Sequence, residues 1–512
     1  MNAPFSWRTQ NGLAPLMLAA LVGLSLACGE PAEPAKVPEA HAGPAAPPPV
    51  AIDPLGPAPR VAPPSPYAPP VPETWKTASG LSVWLVERHS LPYVAMTLSV
   101  PTGSASDPPG KGGLAFAAAD MLDEGAGARG SIDLSRAIDA LGATLVTGAT
   151  LDTSEVSLSV LKKNLTPAFT LFADVVARPR FDATEWKRVH ELEMNDLAER
   201  ASDPEEVERV VTRAVLFGAD HPYGHPVDGT VTTATTLGLG DVTAFYKSAF
   251  RPDRATLAVV GDTTKAELTA LLEKDLGAWK SPASKAPAIV SPEAPKGPWP
   301  KLVLVDRADA PQAVLALVRP GVAVSDPNEV LLERANLALG VLFTSRLNQD
   351  LREEHGYTYG AGSRLSRTRG VGAFVASAAV FTEKSSDALK ALVADVADYA
   401  KGGMTEEEAQ KTRLQSRGDR VETFETYDHA AEHLAVDAAL GLPPDYEKTA
   451  SIAVDGATRD ALAKLGAQHF DPRDAVVVIV GPRAKLEELL KAAGFGAMEM
   501  RDADGRPLAG KH

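Results

Sequence analysis

Cysteine is nearly absent: Cys28 is the only one in 512 residues. A lone thiol forms no internal disulfide, and thiolate zinc sites need several Cys at short spacing, so both are excluded. Basic runs are missing too. With 51 Lys and Arg against 66 Asp and Glu the net charge is −15, which repels phosphate backbones, and no Lys/Arg cluster reverses it locally. Nucleic acid is therefore set aside as a partner, in favour of proteins or peptides. The apolar run Leu13 to Ala27 falls short of the ~20 residues of a membrane span and has the length of a signal-peptide core. What the chain does have is 45% hydrophobic and 23% charged residues, enough to bury a core. Wholesale disorder is excluded, and a prior of ~100–200 residues per domain allows two to four domains.

The apolar run ends in Leu24-Ser25-Leu26-Ala27-Cys28, preceded by Arg8. This resembles a bacterial lipobox, with Ser25 departing from the usual Leu; the alternative is an ordinary cleaved signal with an incidental Cys. Segment 1–28 is thus expected to direct the chain to the cell envelope as a periplasm-facing lipoprotein, with the outer membrane favoured over the inner. Contact with the membrane is expected through the lipid on Cys28 only. Between Pro31 and Pro72 lie 16 of the 42 prolines, so 29–72 reads as a semi-rigid tether.

Beyond the tether the sequence repeats. FRPDRATLAVVG (Phe250 to Gly261) returns as FDPRDAVVVIVG (Phe470 to Gly481), LPYVAMTLSVP (Leu91 to Pro101) as APQAVLALVRP (Ala310 to Pro320), and LFADVVA (Leu171 to Ala177) as LVADVAD (Leu392 to Asp398). The three echoes keep one offset of about 220 residues, the sign of a duplicated unit. A proline-rich stretch, SPASKAPAIVSPEAPKGPWP, separates the copies. The expected domains are 73–280 and 301–497, joined by a linker at 281–300 and followed by a tail at 498–512. Within each copy, β-branched runs such as SVWLVER and YVAMTLSV alternate with helical patterns and a hairpin, GATLVTGATLDTSEVSLSVL. The fold class is α+β: two tandem sandwiches, each an antiparallel-rich sheet with helices on one face.

The ordered segments LPYVAMTLSVPTGSASDPPGKGGLAF, HPYGHPVDGT, RPDRATLAVVGD and SRLNQDLREEHGYTYG resemble the pitrilysin/insulinase metallopeptidase family, in its half-length branch that includes mitochondrial processing peptidase subunits. The resemblance runs from about Trp75 to Gly494 and implies half of a clam-shell. In active members a helix carries H-x-x-E-H, two zinc-binding His one turn apart and a Glu that activates water, with a third ligand, a Glu, some 75 residues on. Here Phe116 stands at the first His, Ala119 at the Glu and Asp120 at the second His; the third ligand falls at Asn195 or Asp196. No zinc is therefore expected in this chain. The resemblance also implies an Arg and a Tyr in the second copy that bind the substrate carbonyl and oxyanion, and Arg352 and Tyr359 fit their spacing. In heterodimers of the family one subunit keeps the zinc helix and the other the Arg/Tyr pair. The resulting expectation is a zinc-free subunit, inactive alone, whose partner is a homologue that carries the zinc and whose ligand is a peptide. The alternative is a non-catalytic scaffold of the same fold.

A complete H-x-x-E-H does occur, displaced to His429, Glu432 and His433. It supports a second alternative, a zinc peptidase built there, although 75 residues beyond His433 lies only the tail. The bland account is two exposed His on a helix that buries Leu434 and Val436. His221 and His225 are separated by Pro222 and Gly224, which break a helix, so they read as a turn. No G-x-S-x-G elbow and no phosphate-binding Gly loop with a Lys-Ser/Thr ending is found.

Overall fold

The computed structural model describes residues 67–286 and 288–508; Cys28, the signal segment and most of the tether lie outside them. The first sheet contains β1 (Glu73–Lys76), β2 (Ser82–Glu87), β3 (Tyr93–Val100), β4 (Thr144–Ala149), β5 (Ser154–Leu161) and β6 (Thr256–Gly261), in the order β1-β2-β6-β3-β5-β4. The second contains β7 (Leu302–Asp306), β8 (Gln312–Pro320), β9 (Thr358–Leu365), β10 (Ala373–Phe381), β11 (Val476–Gly481) and β12 (Glu499–Arg501), in the order β9-β10-β8-β11-β7-β12. Read from opposite ends, five strands follow the same order in both sheets, and the sixth place is taken by β1 in one and by β12 in the other. Even the single parallel pairing inside each core recurs, Ser82 with Thr256 in one and Leu302 with Val477 in the other. The segment expected as a tail departs from that reading: Glu499–Arg501 pairs parallel to Val303–Val305, because the edge of β7 still offers unpaired backbone groups.

Both faces of each sheet are covered, where helices on one face were expected. On β3, Val94, Met96, Leu98 and Val100 point to a core shared with helix α2 (Leu165–Ala177), which supplies Phe169 and Phe172. The opposite face, with Trp84, Val86, Ala95, Ala258 and Val260, receives Ala430, Ala431, Leu434 and Ala435 from helix α5 (Tyr427–Leu440), a helix of the second copy. The exchange is reciprocal. Helix α4 (Pro204–Phe217) of the first copy lays Val207, Val211 and Val215 on Val303, Val314, Val318 and Val478 of the second sheet. Alanines on α5 let its backbone approach the strands closely, and the apolar spacing of α4 is the one-face stripe of an amphipathic helix.

The hairpin turns of the two copies meet between the sheets. Arg369, before β10, donates its backbone N–H to Asp152 Oδ2 at 2.8 Å, and its guanidinium reaches Asp152 O, Val290 O and Ala439 O. The buried Tyr223 hydroxyl, from HPYGHPVDGT, donates to Asp152 and accepts from Gly370 N at 2.9 Å. His221 is spent on Glu293 O and His225 on Pro226 O, so this pair holds a turn, as its Pro and Gly predict. The proline-rich connection is pinned as well, by Val290, Glu293 and a Trp299 indole donating to Leu216 O at 2.9 Å.

Candidate functional site

The helix at the zinc-motif position, α1 (Leu114–Asp120), starts at Gly113, whose φ of +96° favours glycine and where a Cβ would lie 2.6 Å from Asp228 O. Asp107 caps it, accepting N–H bonds from Gly113, Leu114 and Ala115 at 2.9, 3.1 and 2.9 Å. This holds the helix face in register. That face presents a half-buried Phe116, a buried Ala119 and a half-buried Asp120. Opposite it runs α3 (Ala183–Arg200), whose buried stripe is Val189, Glu193 and Leu197.

The carboxylate that α3 turns toward Asp120 is Glu193. Both line one cavity with Trp186, His190 and Asp228, whereas Asp196 is exposed. Residue counting places the third-ligand position at 195 or 196; of these α3 carboxylates it is Glu193, not Asp196, that lines the cavity with Asp120, because helix phase and not residue number decides which side chain faces inward. The spacing of Val189, Glu193 and Leu197 was the available signal. His190 lines the same cavity with its Nε2 engaged 2.9 Å from Ala234 O. Beside Asp120, burial and the charges of Asp120 and Glu124 push the Asp123 carboxyl up to about 7. The cavity measures about 10 Å³, room for a single water at most. With Phe116 and Ala119 at two of the three motif positions and room for one water beside Asp120, α1 does not fit a catalytic zinc with its water and substrate.

Arg352 and Tyr359 sit on a firmly held segment. Arg346 grips Glu408 with two bonds of 2.8 Å and stacks on Tyr399, and Leu347 and Leu351 are fully buried. Around Leu351 the chain widens into the π-turn Gln349–Glu354, and it enters β9 after Gly356, at φ +63°. Arg352 projects with its guanidinium 4.6 Å from the exposed Phe343 ring. Tyr359 is 80% exposed and meets Phe381 edge-on, ring centroids 6.2 Å apart. An open cleft of about 460 Å³ is lined by Tyr359, Gly360, Arg364, Asn348, Glu208 and Arg209. Asn348, one turn before Arg352, borders this cleft, while Arg352 itself is not part of its wall.

The displaced H-x-x-E-H is not assembled. On α5, His429 and Glu432 are exposed, and His433 turns instead to Glu447 of helix α6 (Tyr446–Gly456) and to Asp437. The bland account is corrected as well: Leu434 is buried, but Val436 is half-buried and His433 is ion-paired rather than free at the surface.

Residues 82–220 match the family model described as insulinase (peptidase family M16), and residues 236–416 the one described as peptidase M16 inactive domain. The chain belongs to the M16 peptidase family. An "uncharacterized zinc protease" of Mycobacterium tuberculosis is 27% identical over 367 residues, 71% of this chain and 82% of its own. A solved peptidase M16 inactive domain from Pseudomonas fluorescens superimposes with a TM-score of 0.73 at 26% identity, covering 80% of this chain and 98% of the other. The human mitochondrial cytochrome b-c1 complex subunit 1 is 22% identical over 308 residues, 59% of this chain and 60% of that one.

For this M16 chain the Glu193 assignment has a direct check. The variant Phe116→His/Ala119→Glu/Asp120→His restores the motif on α1, and zinc retained after desalting is expected to rise by about one per chain over the parent. Adding Glu193→Ala is expected to abolish that gain and adding Asp196→Ala to leave it; the reverse pattern returns the ligand position to Asp196.

Proposed function

We propose that this chain is the member of an M16 pair that holds no catalytic zinc, and that it lends Arg352 and Tyr359 to a peptide-hydrolysing site completed by a zinc-bearing homologue. The observation that carries this reading is the asymmetry between the copies: the α1 face carries Phe116, Ala119 and Asp120, while Tyr359 stands exposed and Arg352 half-buried on a braced segment. A permanently charged guanidinium and a phenol donor suit a developing oxyanion. The relatives named zinc proteases, and one named as a subunit of a larger complex, support it. Strand β9 is an edge of its sheet, so an extended peptide could pair its main chain there and pass Tyr359. The partner's zinc would supply the activated water. The leader and tether would present the pair on the periplasmic side of the envelope.

The test is peptidase activity of this chain and of a half-length homologue with intact H-x-x-E-H, apart and mixed. Activity is expected to be highest in the mixture and abolished by chelator. Chelator-sensitive activity of this chain alone overturns the reading. A scaffold role is the second reading, favoured by Arg352 standing outside the wall of the cleft that Tyr359 lines.

A further inference from the structure

Among the described residues one set of metal-type donors converges, far along the chain from α1: His433 and Asp437 of α5 and Glu447 of α6, with ligand atoms all within 4.8 Å of one another. His433 Nε2 is 2.9 Å from Glu447 Oε1 and 3.7 Å from Asp437 Oδ2. Donors at about 2.1 Å from a zinc-like ion, at tetrahedral angles, stand about 3.4 Å apart. The two separations bracket that edge.

The other oxygen of each carboxylate is already occupied. Arg367 Nη2 donates to Asp437 Oδ1 at 2.7 Å, and Arg420 Nη1 donates to Glu447 Oε2. These guanidiniums orient the carboxylates from behind, as outer partners do around bound metals, and leave Oδ2 and Oε1 facing His433. Glu329 and Glu333 also act on Arg367, so four carboxylates face two guanidiniums. The side chain of His433 is 29% exposed, against 1% for Asp437 and 7% for Glu447, which gives an ion a way in and a buried seat.

We propose that His433, Asp437 and Glu447 form a structural site for a divalent transition ion of the zinc class, completed by water, which ties α5 to α6. Helix α5 is the one lent to the first sheet, so the ion fastens the junction between the copies. This site stands whether or not the chain serves a partner's catalytic zinc, and it excludes His429 and Glu432.

The test uses the full-length, tag-free chain, stripped with EDTA, reloaded with Zn²⁺ and desalted. About one zinc per chain and a Tm higher by several degrees than the stripped form are expected. His433→Ala is expected to lose both. His433→Gln, which keeps an N–H for Glu447, guards against misfolding and is expected to retain its circular dichroism while losing the metal. His429→Ala and Asp120→Asn/Glu193→Gln are expected to bind as the parent does. No retained zinc and no Tm shift in the parent, or parental zinc in folded His433→Gln, overturns the proposal.

Discussion

Replacing Arg352 by Ala is expected to lower kcat/KM of the reconstituted pair by about 10²–10³-fold with assembly intact, the range for removing one preorganised oxyanion donor. The side chain is about one-third exposed and rests on Phe343, so its loss costs the fold little and the kinetic change reads chemistry. Arg352→Lys keeps the charge without the planar fork and is expected to recover only part of the rate. Tyr359→Phe removes a hydroxyl alone and is expected to act in the same direction by about 10-fold or more. Size-exclusion profiles of each mixture establish that the pair still forms. Unchanged kcat/KM in both variants supports the scaffold reading instead.

The largest stability effect is expected at Asp152. Its carboxylate, 3% exposed, receives the backbone and guanidinium of Arg369 and the hydroxyl of Tyr223. Burial pushes its pKa up and the Arg369 contacts oppose that rise, so its ionised form depends on those donors. Asp152→Ala strands Arg369, itself largely buried, and leaves Tyr223 without its acceptor. Removing one partner of a buried pair costs about 3–5 kcal/mol, a large share of the ~5–15 kcal/mol that holds a domain folded. Urea unfolding is expected to show a midpoint shift of that order. Asp152→Asn keeps one acceptor oxygen of the same shape and is expected to lose less. A parental midpoint for Asp152→Ala means that the turn-to-turn contact does not hold the copies together.

Much of the fold could be read beforehand, and the failures have physical causes. The 220-residue offset anticipates two equivalent sheets, since repeated strands of like pattern pair alike, and strand order repeats accordingly. Coverage on one face was the natural reading of β3, where Thr97 and Ser99 alternate with Val and Leu. Thr97 instead hydrogen-bonds Ser157 at 2.9 Å, and a polar side chain paired across strands can lie under a helix. The position of Phe116, Ala119 and Asp120 on one helix face was legible because i and i+4 share a face within any helix. Glu193 was not, since α3 is separated from α1 by loops whose lengths set its phase. His433 shows the same limit: the motif pointed to His429 on its own helix, while the contacts came from Asp437 one turn on and from Glu447 on the next helix.

The exchange of α4 and α5 has a mechanical consequence. Neither copy can swing away about the proline connection without stripping a helix from the other's sheet and exposing two apolar interfaces at once. The connection is therefore a clasp and not a hinge, and parting the copies costs both interfaces. If a peptide must enter between two such pairs of copies, the gap has to open at the seam between separate chains. The rate of admission would then be set by how tightly the partners hold one another, a quantity that substitutions far from Arg352 and Tyr359 could tune.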